Sequence, residues 1–505
     1  MKKIFLRLSI SAITFTGAFA QQTPDPAIIA KIRQEGLERS KVMEHAFYLT
    51  DVNGPRLANS PGARRSEQWA VNTLKSWGLQ NVNLELWGEF GQGWDIQRCY
   101  VAMKAPYYQP LIATPRAWTG STKGEICSEV VLVKYDTTEI KRLAGKLTGK
   151  IVIFDTKDTI ATTFKSDATR FTDEELAGIE SLPVLKKISP AVTARIKALR
   201  ARVGELLFEQ NAALILTLAR GKHGTVFNAA SASYEMDAKP TVAELEMSAE
   251  NYLRIVRLLK AQTKVELEAD IRTTFYKEDP KGYNVIAEIP GTDKKFKNEV
   301  VMLGAHLDSW HGATGATDNA SGCAVMMEAI RIIKALNLNP RRTIRLALWT
   351  SEEQGLWGSK GYVAKHYGDA ATMKLKPEQK NISAYYNLDN GAGKVRGIYL
   401  QNNLAVKPIF QEWLKPFHDL GATAVPNRNT GSTDHISFDA VGIPGFQFIQ
   451  DKLEYFTRTH HSNQDNYERL NEADLKQAAT VIAAFVYNTA QLDQKLPRKP
   501  LAGAQ

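Results

Sequence analysis

The stretch Thr343-Ile344-Arg345-Leu346-Ala347-Leu348-Trp349-Thr350-Ser351-Glu352-Glu353-Gln354-Gly355 is an apolar run that ends in two adjacent carboxylates. Residues 343–350 read as a buried strand, and open α/β sheets bind ligands at the carboxyl ends of their strands. Neighbouring side chains at a strand end face opposite ways. One of the pair can therefore hold a metal while the other moves protons.

Working outward, other strand ends carry the same chemistry. Residues 300–305 form an apolar run leading into His306-Leu307-Asp308. Gly315-Ala316-Thr317-Asp318-Asn319-Ala320-Ser321-Gly322 is a small-residue loop that opens a helix at about 323–336. A strand at 383–388 finishes at Asp389-Asn390-Gly391, and one at 443–449 leads to His460-His461-Ser462-Asn463-Gln464-Asp465. Taken singly, Asp318 reads as a helix N-cap and Asp389 as a turn residue. Imidazoles and carboxylates recurring at successive strand ends, with no cysteine among them, instead specify a site for zinc or a similar divalent ion. No Gly-x-Ser-x-Gly supports a serine nucleophile, and no His-Glu-x-x-His helix supports a thermolysin-like site.

The ordered set His-x-Asp, Asp-Asn, Glu-Glu, Asp and His-Ser-x-x-Asp resembles the co-catalytic di-zinc exopeptidases, over roughly residues 282–488. The spacing from His306 to Asp318 looks most like the carboxypeptidase Q branch, and residues 54–62 also look familiar. The resemblance implies two zinc ions bridged by Asp318. His306 and Asp389 would complete one shell, and Glu353 and His461 the other. Glu352 would be the general base, while Asp308 and Asp465 would orient His306 and His461. His460 competes with His461, but only His461 has the family's acid four residues later. The implied substrate is a peptide, cut at a terminal bond or as a dipeptide. His435 is a candidate substrate contact, and Arg428 and Arg458 are candidate clamps for a carboxylate. The segment Asp434-His435-Ile436-Ser437-Phe438 also resembles a loop of single-zinc glutaminyl cyclases, so an acyltransferase on the same fold is the alternative.

The 505 residues have room for two or three domains. Residues 1–20 read as a secretory signal, with Lys2, Lys3 and Arg7 before an apolar stretch and Ala18-Phe19-Ala20 as the cleavage site. This places the protein outside the cytoplasm, in the periplasm or beyond, and free of the membrane after cleavage. The net charge is +10, but the cations are scattered, which argues against nucleic acid as a partner; a homodimer is allowed.

Residues 24–107 and 266–490 are expected to form the catalytic domain, an α/β fold with a mostly parallel twisted sheet and helices on both faces. Helices are read at 27–49, 62–77 and 472–488, with a strand near 82–87. Between the two catalytic parts, residues 108–265 are expected to form an inserted β-rich domain. Gly149-Lys150-Ile151-Val152-Ile153 resembles the protease-associated domain, here extended by helical residues 172–210. This insert reads as a lid or substrate-access element, or as a purely structural surface domain. Cys99 and Cys127 could pair as a disulfide or remain free, and residues 491–505 are expected to be a flexible tail.

Overall fold

The computed structural model describes residues 23–183, 189–228 and 232–500; the signal segment lies outside them. The catalytic sheet has seven strands in the order Gln80–Glu89, Lys281–Ile289, Thr343–Trp349, Val300–His306, Ile382–Asn387, Gly445–Gln450 and Val395–Ile398. The four strands from Thr343–Trp349 to Gly445–Gln450 run parallel. The flanking strands pair antiparallel, so the sheet is mixed and only its centre is parallel as expected. Antiparallel neighbours need no helical crossover, which lets the chain re-enter at Lys281 directly from the second sheet.

Alternation along the central strands makes two apolar faces. Val301, Leu303 and Ala305 pack with Ile330 and Ile333 of Ser321–Ala335 and with Ile482 and Phe485 of Glu472–Gln491. Val300 and Met302 face the other way, toward Tyr362, Tyr367 and Phe438. With both faces covered, all seven residues of Val300–His306 are buried, and the strand delivers His306 to the end of the sheet.

The second sheet has eight strands and is also mixed. Its centre is four parallel strands, Ile126–Val133, Ile151–Phe154, Leu214–Leu218 and Glu244–Met247. Gly93–Ala105 and Glu266–Tyr276, expected within the catalytic domain, pair with each other and belong here. They are the two arms joining the sheets, so by strand pairing the second sheet reaches from near residue 93 to near residue 276. Between Ile151–Phe154 and Leu214–Leu218 the chain makes an excursion through helix Pro190–Glu209.

Three further expectations are corrected. The run 27–49 is not one helix: Pro26–Glu38 ends at Arg39, and a new helix starts at Val42, where Ser40 and the Lys41 amide donate to Glu328 instead of to the helix ladder. The tail is anchored through residue 499, with Leu496 buried, Arg498 donating to the Gln379 and Ile382 carbonyls, and Lys499 paired with Asp439; residues 501–505 lie outside the described residues. Cys99 and Cys127 are both free. They lie on strands either side of Glu266–Tyr276, about two strand spacings of ~4.8 Å apart, beyond disulfide reach.

Candidate metal centre

The carboxyl ends of the parallel strands bring His306, Asp318, Glu352, Glu353, Asp389 and His461 together. Asp318 lies between two pairs. Its Oδ1 is 3.4 Å from His306 Nε2, which is also 3.3 Å from Asp389 Oδ1. Its Oδ2 is 3.2 Å from His461 Nε2, which is also 2.9 Å from Glu353 Oε2. His460 is farther, at 3.9 Å from Asp318 Oδ2, with its ring stacked on His461. Glu352 joins the His306 and Asp389 side, where one potential ligand atom from each of the three lies within 4.8 Å of the others.

The carboxylates are packed in a way that calls for cations. Asp318 Oδ2 and Glu353 Oε1 are buried without a hydrogen-bond partner, acceptor oxygens that a bound cation would satisfy. Burial pushes the Glu352 carboxyl well up; His306 opposes this, while Asp389, Asp434 and Glu353 add to it. Burial likewise lifts Glu353 to about 7, against the pull of His461. Asp318 is instead held well below the usual range: burial would raise it, but the facing imidazoles of His306, His461 and His460 outweigh that. Two imidazoles facing this many buried acids make a donor set that fits zinc.

The two acids expected to orient the imidazoles act elsewhere. Asp308 Oδ1 and Oδ2 accept from the amides of Glu352 and Glu353, at 3.1 and 3.3 Å. His306 Nδ1 is 3.0 Å from the Asp308 carbonyl, whereas the carboxylate is 3.7 Å away. Asp465 accepts from the amides of Thr317 and Asp318, not from His461. Each acid thus fixes the backbone of a segment that carries potential metal donors.

The candidate substrate contacts are placed differently from expectation. Arg428 donates to the carbonyls of Ile179, Leu182 and Pro183, tying down the excursion from the second sheet. Arg458 is paired with Asp167 and Glu454. Both guanidiniums are occupied by the protein. His435 is wholly buried, its Nε2 3.2 Å from the Thr430 carbonyl, and burial lowers it to about 4. It is not presented to the open side of the centre.

Three residues had no role in the sequence reading. Arg56 is fully buried and donates to the carbonyls of Leu49, Leu307, Thr314 and Gly315, bracing the loop between His306 and Asp318. Only the familiar look of residues 54–62 hinted at it. Asp434 is buried with His306, Asp389 and Asp308 near its carboxyl; burial raises it to about 7. Tyr455 has its hydroxyl pushed well up by burial and by the charges of Asp318, Asp389 and Glu353. Nothing in the sequence around Tyr455 marks it.

Residues 284–486, which hold every donor of this centre, match the family model described as Peptidase family M28. These residues form a peptidase family M28 domain. With this domain and the relatives below, the chain is a zinc metallo-exopeptidase, a hydrolase of peptide bonds. It is similar to carboxypeptidase Q of Mus musculus, 27% identical over 470 residues that cover 92% of this chain and 88% of that protein. It is 29% identical to aminopeptidase YwaD of Bacillus subtilis (strain 168) over 216 residues, 40% of this chain and 44% of that one. Among solved structures, the peptidase M28 precursor of Shewanella amazonensis SB2B superposes with a TM-score of 0.67 at 25% identity, covering 94% and 98% of the two chains. No helix among the described residues of this chain is long and apolar enough to cross a membrane.

Proposed function

We propose that this chain is an exported di-zinc exopeptidase that removes one terminal residue or splits dipeptides, and that the second sheet is a protease-associated-type insert. The observation that carries the two-ion reading is the placement of Asp318, with one oxygen toward His306 and Asp389 and the other toward His461 and Glu353. On this reading those five residues hold the metal. Zinc bound there supplies Lewis acidity toward the scissile carbonyl and acidifies water.

The chain's own groups do the rest. Glu352 takes the proton of the attacking water and returns it to the leaving amine, and its burial among other acids suits that traffic. Asp308 holds the Glu352 and Glu353 amides together, so base and ligand keep one mutual geometry. Asp465 does the same for the bridging Asp318.

The test is hydrolysis of one dipeptide in free, N-blocked and C-amidated forms, with and without a chelator. Chelator-sensitive cleavage that fails on blocking one terminus supports the reading and names the terminus recognised. Cleavage indifferent to both blocks contradicts exopeptidase action.

A further inference from the structure

A row of aromatic rings runs outward from the metal centre. Trp310 packs on His461 with ring centroids 5.9 Å apart and on Trp118 at 6.5 Å. Trp118 meets Tyr234 at 5.4 Å, and the Trp357 indole N–H donates to the Tyr234 hydroxyl at 3.3 Å. Trp118 and Phe90 are buried behind the row, Trp310 and Tyr234 are half-buried, and Trp357 is 42% exposed. Trp357 follows Glu353 by four residues across a turn closed by the Glu352 carbonyl. The row therefore begins beside one donor, His461, and returns to the chain just past another, Glu353. Trp118 and Tyr234 come from the insert, so both parts of the chain build it.

On the His460 side the surroundings are of the opposite character. A cavity of about 580 Å³ is lined by His460 and Phe456 together with Lys165, Arg220 and Lys222. Its other pair of charges, Asp167 and Arg458, neutralise each other at 2.6 Å. Among the described residues no ion pair involves Lys165, Arg220 or Lys222, so this side is cationic and polar. Apolar walls with few polar groups take apolar side chains, while a cationic cavity takes an anion.

The geometry points to a division of the substrate across the metal centre: the aromatic row formed by Trp310, Tyr234 and Trp357 takes a bulky apolar or aromatic side chain on the acyl residue, and the cationic cavity takes the leaving residue. This rests on the exopeptidase reading above. The wall discriminates by burying apolar surface, an effect that in enzyme pockets runs to ~10–200-fold, and it acts through KM, because it lies beside the donors and supplies no proton.

The experiment compares kcat and KM for Phe-Ala, Ala-Ala and Ala-Phe in the zinc-loaded native enzyme, Trp310→Ala and Trp357→Ala. The native enzyme is expected to favour Phe-Ala over Ala-Ala by ~10-fold or more. Each variant loses that preference through a KM that rises more for Phe-Ala than for Ala-Ala and keeps its zinc; Trp310→Phe restores much of the preference. Equal native rates on Phe-Ala and Ala-Ala, or a preference for Ala-Phe that the variants abolish, overturn the proposal. Failure of the native enzyme to cleave any of the three falls on the exopeptidase reading instead. Binding of the uncleaved dipeptides then decides the wall, which requires Phe-Ala to bind more tightly than Ala-Ala and Trp310→Ala to erase the difference.

Discussion

Asp465 holds Asp318 by its main chain. Asp465 Oδ2 accepts from the Asp318 amide at 3.1 Å while Oδ1 accepts from the preceding Thr317 amide at 2.6 Å. The residue with an oxygen toward each half of the centre is thus fixed through its backbone, and its own carboxylate stays free for metal. Asp308 repeats the device on the Glu352 and Glu353 amides.

An asparagine keeps the shape of Asp465 but has one acceptor, and its amide nitrogen would meet a backbone N–H. Asp465→Asn is expected to retain the fold and lose ~10–100-fold in zinc affinity or kcat/KM, the usual cost of removing support behind a ligand. Zinc retained after dialysis against a graded chelator series, measured beside kcat/KM, checks this. Asp308→Asn is expected to behave alike, with the loss falling more on turnover because it holds Glu352.

Arg56 is the brace under the loop from His306 to Asp318. Its planar fork serves four carbonyls at once, which a lysine ammonium cannot reach together. Each buried carbonyl left without a donor costs ~1–3 kcal/mol. Arg56→Lys is therefore expected to lower unfolding stability by at least ~2 kcal/mol and to loosen zinc as well. Urea denaturation of the zinc-loaded protein reads the first effect, and metal content the second.

Glu328 supplies a pH dependence away from the metal centre. Burial alone would raise its carboxyl, but hydrogen bonds from His45 and Arg331 outweigh burial and hold it down at about 2. A carboxylate depressed on folding stabilises fully above its unfolded pKa of ~4.3, and the gain is lost as pH falls toward the folded value. Near neutral pH the shift corresponds to about 3 kcal/mol. The stability difference between native protein and Glu328→Gln is expected to be largest near pH 7 and to shrink steadily from pH 5 to pH 2.5. A difference independent of pH would remove Glu328 from the account.

Much of the centre was legible because buried parallel strands are continuous apolar runs. Val300–His306 and Thr343–Trp349 stand out from their surroundings, and the acids and histidines after them are then at strand ends. The sequence does not say which partner a side chain meets. Asp308 and Asp465 sit at the right separation for orienting an imidazole, but whether a carboxylate turns to a ring or to a backbone amide depends on the loop's path. Arg428 and Arg458 were plausible clamps until the excursion from the second sheet met them with its own carbonyls and Asp167. Gly93–Ala105 reads as a long strand in either sheet, and only its pairing with Glu266–Tyr276 assigns it. The break at Arg39 depends on Glu328, almost three hundred residues away, which no local pattern carries.

The central claim is that Asp318 joins two metal shells and that Glu352 and Glu353 have separate tasks on either side of them. The direct test is the zinc content per chain of the native protein, Glu352→Gln and Glu353→Gln, prepared identically. The account predicts two, two and fewer than two ions respectively, with Glu352→Gln inactive despite its full load and Glu353→Gln partly rescued by added zinc. One ion in the fully active native protein, or zinc lost from Glu352→Gln and kept by Glu353→Gln, would contradict it.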